Sequence, residues 1–318
     1  MLRCMDSAVA GLRAHQNKMD VVGHNIANVN TFGFKSQTYT FKEAMYQTST
    51  TSTGNGGTQG SAGGVNAAQF GYGSLMGTIG MNMGESTPTY FGGFNAHISG
   101  DGFFLTKNTS VANGVASDSF VADGNFMYTR VGKFTTDSAG FIVDGNGNYV
   151  YGFRATDPAT GAVDTTTLVA LRAPQKTSYT TPAYSTNPGD DAIKLDTVQI
   201  DSAGKISAVI SNPDDPTESK TIYIGCVAIA SFQNPNGLNK AGESYYTATE
   251  GDNTGEAAAT QPGIGSTPTL MTGYLEGSNV DLAQEFSEMI TTHRGFQANS
   301  KMITVADEML SDLVSMKR

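Results

Sequence analysis

The chain has 318 residues, room for two or three domains, yet only 38% are hydrophobic, Trp is absent and Gly reaches 38. The net charge of −10 argues against nucleic acid or anionic membrane as partners. No run approaches the roughly 20 apolar residues of a membrane span, and the start, MLRCMDSAVAGLRAHQ, lacks an apolar core long enough for a secretory signal.

Leu2, Met5, Val9, Leu12, Met19 and Ile26 follow alternating steps of three and four, and Gln16 and Gly23 fill the two remaining places of the seven-residue repeat. That spacing predicts a helix with an a/d stripe over about 25 residues, about 38 Å long. The helix runs into VVGHNIANVNTFGFK at 21–35. Asn28 or Asn30 can take the left-handed conformation that ends a helix, and Gly33 supplies the turn. One asparagine is thereby explained. Asn25, Asn28 and Asn30 together exceed what capping needs and point to hydrogen bonds outside the segment.

From Ala44 to Gly84 no residue is charged, and TSTTSTGNGGTQGSAGG within it has the composition of a flexible linker. The alternative is irregular backbone packed between neighbouring subunits, where charge would be costly to bury. From about 94 to 250 the pattern turns to short β runs such as NFMYTRVGKFTTD, GFIVDGNGNYVYGF and TIYIGCVAIASF. Asp101-Gly102 and the DGNGN of 144–148 read as hairpin turns. Asp137-Ser-Ala-Gly140 and Asp201-Ser-Ala-Gly204 echo each other before a β run. The Thr-, Pro- and Asp-rich stretch 155–192 reads as the edge of an inserted subdomain.

The far end repeats the helical spacing at Leu282, Phe286, Met289, Phe296, Ile303, Leu310 and Val314, with His293, Ser300 and Asp307 as polar interruptions. Asn279 is a candidate cap, and Asp281 and Glu285 suit the positive end of the helix dipole. Two heptad helices at opposite ends suggest a coiled coil. Two amphipathic helices packed on one globular core fit the same periodicity.

Catalytic and cofactor chemistry finds no residues to stand on. DGNGN begins like a calcium loop, but Tyr149 stands where the sixth-position glycine belongs and Ala155 where the closing glutamate should be. His15, His24, His97 and His293 make no HxxxH or HExxH pair, and no GxSxG, phosphate loop or complete GxGxxG occurs. Cys4 and Cys226 form no metal spacing and read as two unpaired small hydrophobes, with a disulfide as the alternative. No cofactor, no metal and no enzymatic activity are expected.

The quoted stretches carry a resemblance. VVGHNIANVNTFGFK is similar to the N-terminal signature of the bacterial flagellar rod and hook axial proteins, and GSNVDLAQEFSEMITTHRGFQANSKMITVADEMLSDL resembles their C-terminal helix. IASFQNPNGLNKAGESYYTAT and ISGDGFF with YTRVGKFTTDSAG resemble two further shared blocks. Asp281, Phe286, Gly295, Gln297 and the tail to Arg318 look more like the hook members than the distal rod members, and the length points the same way. Phe153 departs from the family, which often has Trp there.

The resemblance implies a multi-domain α+β fold, with terminal helices paired as a coiled coil and antiparallel β-rich domains inserted between them. Residues 1–43 would be the N-terminal helix and Asn-rich turn, 44–84 the uncharged linker, and 273–318 the C-terminal helix. Residues 85–153 with 226–272 would form a discontinuous first outer domain, and 154–225 a small inserted one. The subunit would self-assemble into a helical homopolymer, the hook, with the distal rod as the alternative. Its partners would be further copies, the distal rod protein, the hook cap protein, the hook–filament junction protein and the flagellar type III export apparatus, which needs no cleaved signal. Such a hook lies outside the cell.

Overall fold

The structure, a computed structural model, describes residues 2–54, 64–109, 114–122, 126–157, 159–175, 192–211, 219–265 and 267–316. The chain divides into two compact units. Unit 1 comprises Met1–Val29, Ser36–Asn82 and Val280–Arg318; unit 2 comprises Asn30–Lys35 and Met83–Asn279.

Unit 1 is built on the two helices that the terminal heptads predict, α1 (Leu2–Ala27) and α2 (Leu282–Ser315), which pack against each other. Asp281, and not Asn279, caps α2: its Oδ1 accepts from the backbone N–H of Ala283 at 2.9 Å and Gln284 at 3.3 Å. Among the described residues, four strands complete the unit: β1 (Gln37–Glu43), β2 (Tyr46–Thr50), β3 (Ala68–Gly71) and β4 (Ser74–Met81). β1 pairs antiparallel with β4 and β2 with β3. The segment expected as a linker thus contains ordered strands. Its glycines and hydroxyl residues hide cross-strand apolar pairs, Tyr39 opposite Ile79 and Phe41 opposite Met76, which stabilise antiparallel ladders. The middle of the tract, 55–63, lies outside the described residues.

Unit 2 is β-rich. Its first strands are β5 (Pro88–Tyr90), β6 (Ala96–Ser99), β7 (Phe103–Lys107), β8 (Val115–Ala116), β9 (Met127–Thr129), β10 (Phe134–Thr136) and β11 (Ile142–Asp144). β12 (Tyr149–Asp157), β13 (Ala162–Ala170), β14 (Leu195–Ile200), β15 (Lys205–Ser211), β16 (Ser219–Val227) and β17 (Ile229–Phe232) follow. The last are β18 (Asn239–Gly242), β19 (Tyr245–Thr247), β20 (Ala257–Thr260), β21 (Thr269–Thr272) and β22 (Tyr274–Glu276). Among the described residues, one antiparallel sheet runs β14-β15-β16-β12-β7-β9-β19-β18, with the remaining strands joined at its sides; β21 pairs with β6 and β22 with β5.

The central strand β7, FFLTK, is buried at every position, as a strand covered on both faces requires. β15 shows the other regime: Ile206, Ala208 and Ile210 face the core and alternate with half-buried neighbours. These side chains join Phe104, Ile142, Val150, Ile222, Ile224 and Val227 in one apolar core. The expected boundaries at 153/154 and 225/226 fall inside β12 and β16, which pair directly at Gly152–Val227, Phe153–Cys226 and Arg154–Gly225. A continuous sheet therefore crosses both, and 83–279 forms one unit.

The two DSAG echoes are the same turn built twice. In each, the glycine N–H donates to the aspartate carbonyl, at 2.9 Å for Gly140 and 2.8 Å for Gly204. Both glycines take a left-handed φ, +80° and +73°, and the Asp137 and Asp201 carboxylates accept from the following Ser N–H. DGNGN closes the β11–β12 hairpin: Asp144 Oδ1 accepts from the N–H groups of Asn146 and Asn148, both at 2.9 Å. Asp101-Gly102 joins β6 to β7, which do not pair with each other, so it is a connection and not a hairpin.

Candidate functional site

The helix pair of unit 1 retains the predicted period but not the predicted phase. On α1, Ala8, Gly11, Val22 and Asn25 are buried, each one residue before the a/d stripe, together with Ala14 and Val21. Of the stripe itself, Met5, Leu12, Met19 and Ile26 are half-buried and Val9 is exposed; the Leu2 side chain lies outside the described residues. On α2, Met289, Phe296, Ile303 and Leu310 are half-buried, whereas Leu282, Phe286 and Val314 are exposed. The fully buried positions there are Thr292 and Ala306.

Close approach of the helix backbones explains this phase. Small residues sit where the helices meet, and the wide side chains are displaced to the flanks. A Cβ on Gly11 would lie 2.7 Å from Asn299 Nδ2 on α2, and a Cβ on Gly295 would lie 2.7 Å from His15 Cε1 on α1. The His15 imidazole also stacks at a tilt on Phe41 of β1, with centroids 5.3 Å apart. Burial, and then the nearby Lys18 ammonium, hold its pKa below the ordinary histidine value. Lys18 reaches across to Glu288 on α2 at 3.2 Å.

The three asparagines have three different fates. Asn25 is 1% exposed and joins three elements: Nδ2 donates to Gln37 O and to Glu285 Oε1, both at 2.8 Å, while Oδ1 accepts from Gln37 N at 2.9 Å. It fastens the last turn of α1 to β1 and to the first turn of α2. Burial raises the Glu285 carboxyl above the ordinary glutamate range, and the Asn25 hydrogen bond opposes that shift. Asn28 is the cap, its Nδ2 donating to His24 O at 2.9 Å. Asn30 is exposed and belongs to unit 2. Neither Asn28 nor Asn30 takes a positive φ; Gly33, at +66°, does.

Unit 2 holds a cluster that sequence reasoning missed. Lys35, the last residue of NTFGFK, is fully buried, and its Nζ donates to Glu276 Oε1 and to Gly84 O, both at 2.7 Å. Arg130, also buried, lies 3.5 Å from Glu276 Oε2, donates to Gly100 O at 2.8 Å and stacks over Phe103. Burial depresses the Lys35 pKa, and the Glu276 carboxylate offsets part of that effect. A lysine at the end of a turn carries no signal that its partner lies 241 residues away; the Gly-Phe-Lys wording was the only hint available.

Nothing in either cluster places a nucleophile beside a base, and among the described residues no three His, Cys, Asp or Glu gather as a metal would require. Both cysteines are free thiols. No helix among the described residues is long and apolar enough to cross a membrane. Hydrogen bonds and ion pairs here fasten elements of the fold to one another.

Residues 5–35 match the family described as flagella basal body rod protein, and 271–316 match the C-terminal family of flagellar basal body rod FlgEFG proteins. The chain is 37% identical to the flagellar basal-body rod protein FlgG of Bacillus subtilis (strain 168) over 320 aligned positions, covering 100% of both chains. The chain belongs to the flagellar rod and hook axial family. It is also 28% identical to the rod protein FlgG of Borreliella burgdorferi and 25% identical to the flagellar hook protein FlgE of the same organism, each over 100% of both chains. The two matched segments contain nearly all of α1 with its asparagine turn, and β22 with all of α2, so Asn25, Lys35 and Glu276 all fall within them.

Proposed function

We propose that the chain is a non-enzymatic structural subunit of the flagellar rod, assembling with further copies of itself into a helical tube. The observation that carries the rod over the hook is colinearity. The alignment with the B. subtilis rod protein takes 320 positions for 318 residues, so that protein carries almost no segment without a counterpart here. The alignment with the B. burgdorferi hook protein stretches to 467 positions, so that protein carries long segments with no counterpart here. The higher identity to the rod protein, 37% against 25%, points the same way.

Identical subunits joined by a heterologous contact that does not close generate a helix, and the exposed apolar side chains of unit 1 offer surface for that contact. The coiled-coil role of the terminal helices belongs to this reading. So does export through the flagellar type III apparatus, which places the subunit in the basal body beyond the cytoplasm. Under the hook reading, favoured by Asp281, Phe286, Gly295 and Gln297, the neighbours would be the distal rod, hook cap and hook–filament junction proteins.

Complementation in B. subtilis separates the two. The rod reading expects this chain to restore swimming to a strain lacking its rod protein FlgG and not to one lacking its hook protein. Rescue of the hook deletion alone would overturn it. Electron microscopy of the purified protein adds a second readout, straight tubes for a rod and curved ones for a hook; a protein that stays monomeric at high concentration would count against both.

A further inference from the structure

The chain passes between the two units four times, after residues 29, 35, 82 and 279. On the unit 2 side these crossings emerge from three short segments, 30–35, 83–87 and 276–279, distant in sequence. We propose that the buried Lys35–Glu276 ion pair is a clasp that gathers these three segments, so that any load carried along the chain into unit 2 enters at a single fastened point.

The contacts converge on two side chains. Lys35, from the first segment, donates to Gly84 O in the second and to Glu276 Oε1 in the third. Glu276 answers in both directions: its Oε1 also accepts from Ser86 N at 3.2 Å, and its backbone carbonyl accepts from Gly33 N at 2.9 Å. Around this centre, Ser86 Oγ donates to Ser278 O at 2.8 Å, Gly277 N to Thr87 O at 3.3 Å, and Asn279 N to Phe34 O at 3.5 Å. Every pair of the three segments is thus bonded directly, and both charged groups are fully shielded from water.

A buried pair of this kind is a poor source of net stability but a strong constraint. Removing one partner leaves an uncompensated charge, so the segments can separate only by opening to solvent. Arg130 adds a second cation beside Glu276, which deepens the dependence on that one carboxylate. The mechanical role rests on the axial reading above; the clasp itself is measurable in the monomer and stands or falls independently.

Hydrogen exchange of the full-length monomer at neutral pH, resolved by mass spectrometry, tests the clasp. In Lys35→Met, exchange in 30–35, 83–87 and 276–279 should accelerate together, by roughly 100- to 1,000-fold, while β7 and β16 exchange as in the parent. Glu276→Gln, which keeps the side chain's shape and one acceptor but leaves both Lys35 and Arg130 without their carboxylate, should open the same three segments together by a factor at least as large. Acceleration confined to 30–35 would overturn the proposal, because the segments would then be fastened separately. Acceleration spread equally into β7 and β16 would overturn it as well, as would failure of both variants to fold, since the pair would then belong to the general core.

Discussion

Replacing Asn25 by Ala removes one side chain and three hydrogen bonds, and leaves three groups without their partner: the N–H and C=O of Gln37 and the Glu285 carboxylate. A buried polar group left unpaired costs about 1–3 kcal/mol. Gln37 and Glu285 are half-buried, so water can approach part of the gap, and the sum is set at roughly 2–4 kcal/mol rather than three full penalties. Urea unfolding followed by circular dichroism at 222 nm, where α1 and α2 dominate, measures it. Asn28→Ala is the internal control: its bond to His24 O sits at a partly exposed helix end, so the loss should be below 1 kcal/mol or so. Asn25→Asp adds a diagnostic of sign. It keeps an acceptor for Gln37 N, loses both donors and sets a carboxylate against Glu285, whose folded pKa already lies above its ordinary value. A carboxyl group with a raised folded pKa has its full stability below the unfolded pKa and loses it as pH rises through the folded value. Asn25→Asp should therefore be more damaging at pH 7 than at pH 4. An Asn25→Ala variant within 0.5 kcal/mol or so of the parent, at unchanged slope on urea, would refute the view that this residue fastens three elements.

Gly23→Ala, which meets no atom within 4 Å, should stabilise α1 by up to about 1 kcal/mol, whereas Gly295→Ala, aimed at the His15 ring, should cost about 1 kcal/mol net; thermal melts decide both. Phe296→Ala should cost about 2 kcal/mol in the same melts, less than a fully buried phenylalanine, because Phe296 is half-buried. Burial pushes the Cys226 thiol up to about 12, so iodoacetamide at pH 8 should leave it unmodified until urea unfolds unit 2. Burial likewise lifts Tyr246 to about 12, so its contribution is complete below pH 10 and is lost as pH rises toward 12, up to about 3 kcal/mol in alkaline urea titrations; a Tyr246→Phe variant should lose that slope.

The elements that periodicity reports were legible: both terminal helices, the alternating strands such as β15, and the DGNGN hairpin. Turn chemistry was legible where glycine and aspartate recur at fixed offsets, since DSAG forms the same hydrogen bonds at both places. The strands of 44–84 were not, because Thr, Ser and Gly dominate the tract and mask its few apolar strand positions. SLMGTIGM contains four large apolar residues, two of which, Ile79 and Met76, pair across to Tyr39 and Phe41. The continuity of the sheet across 153/154 and 225/226 was not legible for another reason: hydrogen bonding between β12 and β16 is a long-range property that weak local patterning in 155–192 cannot reveal. The Lys35–Glu276 pair is the extreme case, two isolated charges that become partners only through the fold.

The misplaced helix stripe has the most to say about assembly. Hydrophobic periodicity reveals that a face is apolar, not which neighbour covers it, and within one chain the helix contact is made by the smallest side chains, Gly11 and Gly295 among them. The large ones are left outside. On α2, Met302, Val305, Met309 and Leu313 recur at steps of three and four, continued by Met316 at its C-cap, and remain 37–77% exposed. A stripe that wide is expensive to leave in water, and unbranched methionines tolerate more than one packing. In the proposed tube, neighbouring copies cover this face while the glycine seam holds each subunit together. The two faces can then be perturbed separately: Gly295→Ala should lower the melting temperature of the monomer, whereas Met309→Glu should leave it unchanged and abolish tube formation in sedimentation. A Met309→Glu protein that still forms tubes would show that the exposed stripe is not the contact, and would leave the helix pair as an internal feature of the subunit alone.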